Sequence, residues 1–318
     1  MFFLLNRFRE RKVFILLAPV VIFVYNRPEH TRKTIEALAE NYLAKETDVF
    51  IYSDAEKNEK ATENVQLTRK YIESILDKNL FKSLKIVKAL QNKGLAKSVI
   101  CGVSEIIEEF GKIIVVEDDL VTSKDFLLFM NEALEYYKKN ESIWSISGYN
   151  IPIDFPSSYN HDVYLSYRGC SWGWATWRNR WNKVDWAVSD YENFRYNKKQ
   201  RKKFNLGGRD MADMLDMQME GKIDSWAIRW CYSQSKLNSY TVYPVQSRIK
   251  NIGLDGSGTH SGLTNHYDIN FKTDNLTCNF EELKIDLEIS KKFQNHYMSL
   301  FDYYVMKLKK TVKKIIGR

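Results

Sequence analysis

The sequence is short of glycine, proline and cysteine, and each shortage argues against a class of protein. It has 14 glycines and 5 prolines in 318 residues, so long structureless linkers are not expected. The four cysteines are far apart and form no Cys-x-x-Cys pair, which argues against a zinc knuckle or a thioredoxin-like motif. We expect free thiols in a reducing compartment. The 44% hydrophobic content is enough for a sizeable core.

The central part of the chain also has no excess of basic residues, although the chain as a whole carries a net charge of +8. The positive charge is concentrated in residues 1–12 and 307–318, and the sequence between them is close to neutral. A nucleic-acid-binding protein would spread basic residues over its fold, so we expect no nucleic-acid partner. Residues 298–318 predict a basic amphipathic helix, which either lies on an anionic membrane surface or packs on the domain.

No apolar run is long enough to suggest a membrane span. Residues 13–25 are almost wholly apolar, but the run is short, contains Pro19 and is not followed by a small-residue cleavage site. We interpret it as a buried strand. The expected location is therefore cytoplasmic, at most peripheral on the inner face of the membrane.

The sequence that follows alternates short apolar strands with amphipathic helices. Strands are predicted over residues 19–25, 48–52, 84–90, 112–116 and 143–147, and helices from about 28, over 62–76 and over 95–110. This alternation predicts an α/β fold with a mostly parallel central sheet covered by helices on both faces. We place the domain at 13–297, with halves 13–120 and 121–297, between a basic segment over 1–12 and the basic C-terminal helix.

Early in the half 121–297, the sequence contains a motif that predicts the N-terminus of a helix. Thr122 and Asp125, three residues apart, predict a capping box ahead of the apolar residues that follow.

Three carboxylates stand together where the fourth predicted strand ends, in the sequence V-V-E-D-D-L. Glu117, Asp118 and Asp119 would repel one another and lose hydration at the end of a buried strand. A divalent cation relieves both costs, and oxygen ligands suit Mg²⁺ or Mn²⁺, which in turn binds a diphosphate. The alternative is an acidic turn that favours the following helix through its dipole. The place of the motif after an apolar strand favours the metal interpretation.

Polar residues also follow the other predicted strands. Asn26 and Arg27 follow the first strand, Asp54 the second, and Asn92 with Lys93 the third. Because ligands of parallel α/β sheets bind beyond the carboxyl ends of the strands, we expect these residues to converge with the acids on one rim. There an aspartate can accept a hydrogen bond from a nucleobase, and an arginine can contact base or phosphate. The alternative for Asp54 is an ordinary turn residue.

These motifs resemble the N-acetylglucosaminyltransferase I family and its bacterial relatives, which are family 2-like sugar transferases. The resemblance covers most of the chain and is carried by V-V-E-D-D-L with Asp125-Phe126, I-W-S-I-S-G-Y-N at 143–150, G-C-S-W-G-W at 169–174 and D-S-W at 224–226. It implies a GT-A fold, which is a Rossmann-like nucleotide-diphospho-sugar transferase fold, an inverting transfer and a Mn²⁺-bound nucleotide sugar. It also implies that Asp119 ligates the metal directly, while Glu117 and Asp118 contact the sugar and ribose side.

Inverting transfer needs a carboxylate that removes the proton of the attacking acceptor hydroxyl. Asp224 is the candidate base, because the resembling enzymes carry two acids before the tryptophan and Ser225 replaces the second of them here. Asp213 and Asp216 are fallback candidates. The alternative for Asp224 is the N-cap of the following helix.

Two further segments are candidates for contact with sugar or phosphate. Tryptophans crowd residues 172–186 at a partly helical spacing, and we expect most of them in the core, with Trp172 and Trp174 stacking on the acceptor sugar. The glycine-rich segment 251–260 ends at His260, and we expect it to fold over the diphosphate and exclude water. The resemblance implies that His260 completes the metal shell or contacts phosphate; the alternative is a flexible surface loop.

The prediction that follows is a metal-dependent glycosyltransferase, transferring a hexose or an N-acetylhexosamine. It would use a nucleotide-sugar donor, expected to be a UDP-sugar, and a glycan or lipid-linked glycan acceptor in surface polysaccharide biosynthesis. One alternative is a nucleotidyltransferase that makes a nucleotide sugar, but this would need a glycine-rich basic loop after the first strand, where the chain has Asn26-Arg27-Pro28. The other is a non-catalytic carbohydrate-binding protein, which would not need the three acids.

Overall fold

The structure is a computed structural model that describes residues 16–256, 264, 266–269, 271 and 278–306. Its strands are β1 (Val20–Val24), β2 (Asp48–Ser53), β3 (Ser83–Lys88), β4 (Lys112–Glu117), β5 (Leu120–Thr122), β6 (Ile143–Ser147), β7 (Val163–Ser166), β8 (Trp174–Trp177), β9 (Tyr240–Pro244) and β10 (Ile249–Asn251). Its α-helices are α1 (Pro28–Ala39), α2 (Glu59–Glu73), α3 (Leu95–Phe110), α4 (Phe126–Tyr137), α5 (Arg178–Trp181), α6 (Tyr191–Tyr196), α7 (Lys198–Phe204), α8 (Met211–Met219), α9 (Trp226–Lys236) and α10 (Leu287–Tyr297).

Eight strands form one central sheet in the order β3-β2-β1-β4-β8-β6-β9-β7. The first four are parallel to one another, and they come from the part of the chain where strand and helix alternate. Beyond β4 the sheet is mixed, because β8 runs antiparallel to both of its neighbours and β7 runs antiparallel to β9. The predicted α/β class with a mainly parallel central sheet is confirmed.

Strand β1 shows how the sheet is covered on both faces. Val20, Ile22 and Val24 pack into a core built with α1, α2 and α4. Val21 and Phe23 point the opposite way, into a second core built with α3, α8 and α9. All five residues of the strand are buried, as its unbroken apolar sequence predicts.

The predicted elements of the first half are observed with small shifts at their ends. Helix α3 has the predicted limits because a glycine with positive φ stands at each end, Gly94 at 76° and Gly111 at 74°. Gly111 adopts the left-handed conformation that commonly ends helices. Helix α2 begins earlier than predicted, at Glu59, since the extended residue Asn58 marks its start.

A separate two-stranded sheet joins β5 to β10 in antiparallel register. Thr122 ends β5, and its hydroxyl accepts a hydrogen bond from Asn41 Nδ2 at 2.9 Å. Asp125 accepts a hydrogen bond from the Ser123 hydroxyl at 2.6 Å and forms a buried ion pair with Arg248 at 3.3 Å. The predicted capping box is therefore wrong, because Asp125 makes no side-chain cap on α4 and the Thr122 hydroxyl is used elsewhere.

Among the described residues, no helix is long and apolar enough to cross a membrane. The predicted basic segment over 1–12 and residues 307–318 lie outside the described part of the chain. Residues 300–306 of the predicted C-terminal helix are helical, and the side chains of Phe301 and Tyr304 are exposed there.

Candidate active site

The three acids lie in the turn between β4 and β5, which we call the acid turn (Glu117, Asp118 and Asp119). Strand β4 pairs with β1, so the turn emerges beside the carboxyl end of β1, where Glu117 is in register with Phe23. The side chains of Asp118 and Asp119 are buried. The turn is held from behind by the Thr34 hydroxyl of α1, which donates to the Asp118 carbonyl at 2.9 Å.

Arg27 bridges two of these acids. It follows β1 and precedes α1, and its Nη2 donates to Asp118 Oδ1 and, at 2.8 Å, to Asp119 Oδ2. The backbone N–H of Tyr25 also points at Asp118 Oδ2, at 3.4 Å. The predicted convergence of Arg27 with the acids on one rim is thus confirmed by these contacts.

Burial and mutual repulsion disfavour the ionised forms of the acidic side chains in the acid turn. Burial raises the pKa of the Glu117 carboxyl to about 8, with Asp119 and Asp118 adding to the rise and Arg27 opposing it. Burial also raises the pKa of Asp118, and the nearby guanidinium opposes that rise. Burial lowers the pKa of Arg27, but the two aspartates outweigh it and raise that pKa above its ordinary value. One guanidinium therefore faces three acidic side chains, and a divalent cation would relieve the excess charge.

A Mg²⁺ or Mn²⁺ ion at the acid turn would have to be shared with a phosphate ligand. Among the described residues, no group of three or more histidine, cysteine, aspartate or glutamate side chains is arranged to hold a metal by itself. Mg²⁺ in nucleotide sites is typically held by one or two carboxylates, with phosphate oxygens and water as the remaining ligands. Asp119 would supply the carboxylate in such a site.

The segment Asn251–Gly256, which we call the cover segment, lies against the acid turn. It follows β10, whose pairing with β5 brings it there. The backbone N–H of Ile252 donates to the Asp119 carbonyl at 2.9 Å, and a β-carbon added at Gly253 would stand 2.0 Å from Asp119 Oδ2. His30 of α1 contacts the Ile252 carbonyl at 3.3 Å and Asp255 at 3.2 Å. The start of the predicted glycine-rich loop is thus placed over the acids, whereas His260 lies outside the described residues.

One buried donor beneath the cover segment has no hydrogen-bond partner among the described residues. Arg27 Nη1 is shielded from solvent and makes no hydrogen bond with the part of the chain that the structure describes. Buried polar groups are nearly always paired, so an orphaned guanidinium nitrogen at this place suits an anionic ligand. The sequence predicted a glycine-rich cover that includes Gly253, but not its contact with Asp119 or the role of His30, because both depend on the pairing of β5 with β10.

Asp54 has a structural role in the turn before α3. Its carboxylate accepts hydrogen bonds from the backbone N–H groups of Ala55, Lys93 and Gly94 and from Asn92 Nδ2, at distances from 2.9 to 3.2 Å. A carboxylate has about four lone-pair positions, and each oxygen here already accepts at least two hydrogen bonds. These contacts favour the turn interpretation of Asp54, and its nucleobase contact stays a prediction. Asn26 is half-buried beside Arg27 and its nucleotide contact stays a prediction.

Asp224 is exposed and lies just before α9, close to the turn before α3 whose backbone donates to Asp54. Its Oδ2 would stand 3.6 Å from a β-carbon at Gly94. The N-cap of α9 is Ser225, whose side chain accepts a hydrogen bond from the Ile228 N–H. The capping alternative for Asp224 is therefore wrong. The fallback bases are engaged, because Asp213 and Asp216 both form ion pairs with Arg201.

The structure separates the two tryptophans that were expected to stack on the acceptor. Trp174 is fully buried, with its ring centroid 5.1 Å from that of Trp226 and 5.8 Å from that of Trp181. A fully buried indole cannot stack on a sugar, so the prediction for Trp174 is wrong. Trp172 is half-buried, with its ring against those of Tyr149 and Tyr267, and its acceptor contact stays a prediction.

No family model matches the chain, and no curated protein matches it. Solved structures do match, among them TarS of S. aureus, with a TM-score of 0.43, 11% identity and 74% of this chain covered. Another is the glycosyltransferase GlyE of Streptococcus pneumoniae TIGR4, with a TM-score of 0.36, 8% identity and 70% of this chain covered. The matches span only 37% of the TarS chain and 45% of the GlyE chain.

Proposed function

We propose that this protein is a metal-dependent, inverting glycosyltransferase of the GT-A type that uses a nucleotide diphosphate sugar. The observation that carries the proposal is the buried acid turn, bridged by Arg27 at the carboxyl edge of the parallel strands. That edge is where α/β sheets bind their ligands. The resemblance of the sequence motifs to the N-acetylglucosaminyltransferase I family supports the reaction class, with a UDP-sugar as the expected donor and a glycan hydroxyl as the acceptor.

The acid turn and Arg27 are the expected diphosphate site. A Mn²⁺ or Mg²⁺ ion, when bound at Asp119, would supply neutralisation of the charge on the leaving nucleoside diphosphate. Arg27 would donate to a phosphate oxygen from Nη1, which is buried and has no partner among the described residues. Glu117 and Asp118 are expected to contact the sugar and ribose of the donor.

Asp224 is the proposed base. The acceptor hydroxyl oxygen attacks the anomeric carbon while the bond from that carbon to the diphosphate oxygen breaks, and Asp224 takes the hydroxyl proton. Two observations support this role: the Asp224 side chain is exposed, and Ser225 rather than Asp224 caps helix α9.

The cover segment is expected to control entry to the diphosphate site. Because Gly253 lies against Asp119 and above Arg27 Nη1, the segment must move to admit a metal ion and a phosphate group. Closing again over the bound donor would exclude the water that otherwise hydrolyses the sugar bond.

A lipid-linked acceptor at a membrane surface is a further part of the proposal. It is supported by the lysines of residues 307–318 and by the exposed apolar side chains of Phe301 and Tyr304. Sedimentation with anionic liposomes should require residues 298–318; equal sedimentation of the full chain and of a chain ending at 297 would remove the membrane surface from the proposal.

Thermal unfolding with a panel of nucleotide sugars tests the function, because a bound donor raises the melting temperature. One UDP-sugar should stabilise the protein in Mn²⁺ and not in EDTA. The stabilisation should be lost in Asp119→Asn and kept in the control Asp48→Asn, which changes a half-exposed carboxylate of β2. Equal stabilisation of Asp119→Asn and the unmodified protein would contradict the metal site. Mn²⁺-dependent hydrolysis of the donor would separate an enzyme from a carbohydrate-binding protein.

A further inference from the structure

A cleft of about 400 Å³ lies between α3 and the start of α9, and we call it the basic cleft. Its floor is apolar and is formed by Ala96 and Ile100 of α3. Three basic side chains line it, Lys93, Lys97 and Arg229, together with the proposed base Asp224.

The basic cleft has more positive than negative side chains, and Asp224 offsets only part of the positive charge. Three cations face one carboxylate, and none of the ion pairs of the described residues involves Lys93, Lys97 or Arg229. Arg229 is held in place, since its Nε donates to the Ser225 carbonyl and its Nη1 to the Trp186 carbonyl, each at 3.2 Å. Lys97 lies one helical turn from Cys101, so both side chains are on the face of α3 that lines the cleft.

We propose that the basic cleft binds an anionic group of the acceptor, a phosphate or a carboxylate carried by a sugar, next to Asp224. The inference rests on the proposed function, because it takes Asp224 as the base. A neutral acceptor would gain nothing from this excess of cations over the single carboxylate, whereas an anionic group would be attracted to them and held close to the base. The diphosphate of the donor is expected at Arg27 and the acid turn, which do not line this cleft.

Cys101 provides a direct measure of occupancy that does not depend on turnover. Its thiol is exposed and lines the cleft, whereas Cys170 and Cys231 are buried and Cys278 is half-buried elsewhere. The rate at which N-ethylmaleimide modifies Cys101, followed by mass spectrometry, should fall when the cleft is filled. Modification of Cys278 is the internal reference, and the Cys101→Ser variant identifies the labelled site.

Matched pairs of sugars test the charge requirement. We expect 3′-sialyllactose to slow modification of Cys101 and lactose not to do so, and likewise glucose 6-phosphate against glucose; the two pairs distinguish carboxylate from phosphate. Lys97→Gln should weaken protection about fivefold, as expected for one partly exposed charge pair, and added salt should weaken it further. Lys139→Gln, which removes a lysine just after α4, is the control and should change nothing.

Several outcomes would overturn the inference. These are equal protection by charged and neutral sugars, no protection by either anionic sugar, and protection that survives Lys97→Gln unchanged. Protection by UDP that depends on Lys97 in the same way would instead place the donor in the cleft. Failure of the proposed function has a different signature, namely loss of Mn²⁺-dependent stabilisation by any nucleotide sugar while Cys101 protection by anionic sugars remains.

Discussion

Gly253 and Asp119 are so close that a β-carbon at position 253 would stand 2.0 Å from Asp119 Oδ2. The same carbon would lie 2.7 Å from Arg27 Nη1. No side chain fits there unless the cover segment moves, so this one contact joins the segment after β10 to the acid turn after β4. A substitution at position 253 therefore tests the contact between the cover segment and the acid turn.

Gly253→Ala should destabilise the protein, because the added methyl group overpacks a buried contact. We expect the free energy of unfolding in urea to fall by about 1–3 kcal/mol, the usual cost of overpacking. The cost should be smaller when Asp119 is already alanine, since the nearest atoms that the methyl group meets are then gone and only the 2.7 Å approach to Arg27 Nη1 remains. Equal costs in both backgrounds would mean that Gly253 and Asp119 are not in contact.

Arg27→Ala should destabilise strongly, because it leaves Asp118 and Asp119 buried without their cation. Removing one partner of a buried ion pair costs about 3–5 kcal/mol, measurable by urea denaturation in EDTA. Mn²⁺ should recover part of this loss, since a divalent cation takes over the charge of the guanidinium.

The control for this variant is Arg32→Ala, which removes an arginine of α1 that pairs with Glu29 and Glu36 in a solvent-exposed position. Exposed pairs contribute about 0–1 kcal/mol, so little change is expected there. If Arg27→Ala and Arg32→Ala cost the same, or if Mn²⁺ helps neither, the guanidinium does not balance the acid turn.

Glu117 should give the protein a pH dependence of stability that Glu117→Gln lacks. The folded state raises the pKa of this carboxyl from 4.5 to about 8, so folding favours its protonated form. The resulting stabilisation is fully present below the unfolded pKa and is lost as the pH rises through the folded pKa. In EDTA, the stability of the unmodified protein relative to that of Glu117→Gln should therefore decline between about pH 5 and pH 9. Parallel pH profiles of the two proteins would contradict the raised pKa.

The parallel half of the sheet and the acid turn could be predicted because both follow from local sequence patterns. An unbroken apolar run such as Val20–Val24 indicates a strand that is covered on both faces, and β1 is buried throughout. The carboxyl ends of parallel strands meet at one edge, which is why Arg27 and the acids, far apart in sequence, could be expected together.

Other features depend on contacts that local sequence does not specify. The spacing of Trp174, Trp177 and Trp181 resembles a helix, yet the first two are the ends of β8 and the third ends a single helical turn. The Asp54 carboxylate accepts hydrogen bonds from the backbone of the turn before α3, which is a tertiary contact. The glycine-rich segment could be expected over the diphosphate from its composition. The pairing of β5 with β10, which sets Gly253 against Asp119, joins segments more than 120 residues apart and is not specified by local sequence.

The assignment of Asp224 as base leads to a prediction that separates catalysis from binding. Asp224→Asn keeps the size of the side chain but removes its basicity, and Ser225 still caps α9. Donor binding, measured by Mn²⁺-dependent thermal stabilisation, should be unchanged, while turnover should fall by about 10²–10⁴-fold, the usual contribution of a general base. The control is Asp216→Asn, which breaks the ion pair with Arg201 and should lower stability without lowering turnover of the folded protein. If the two variants lose turnover equally, or if only Asp216→Asn does, the base is not Asp224.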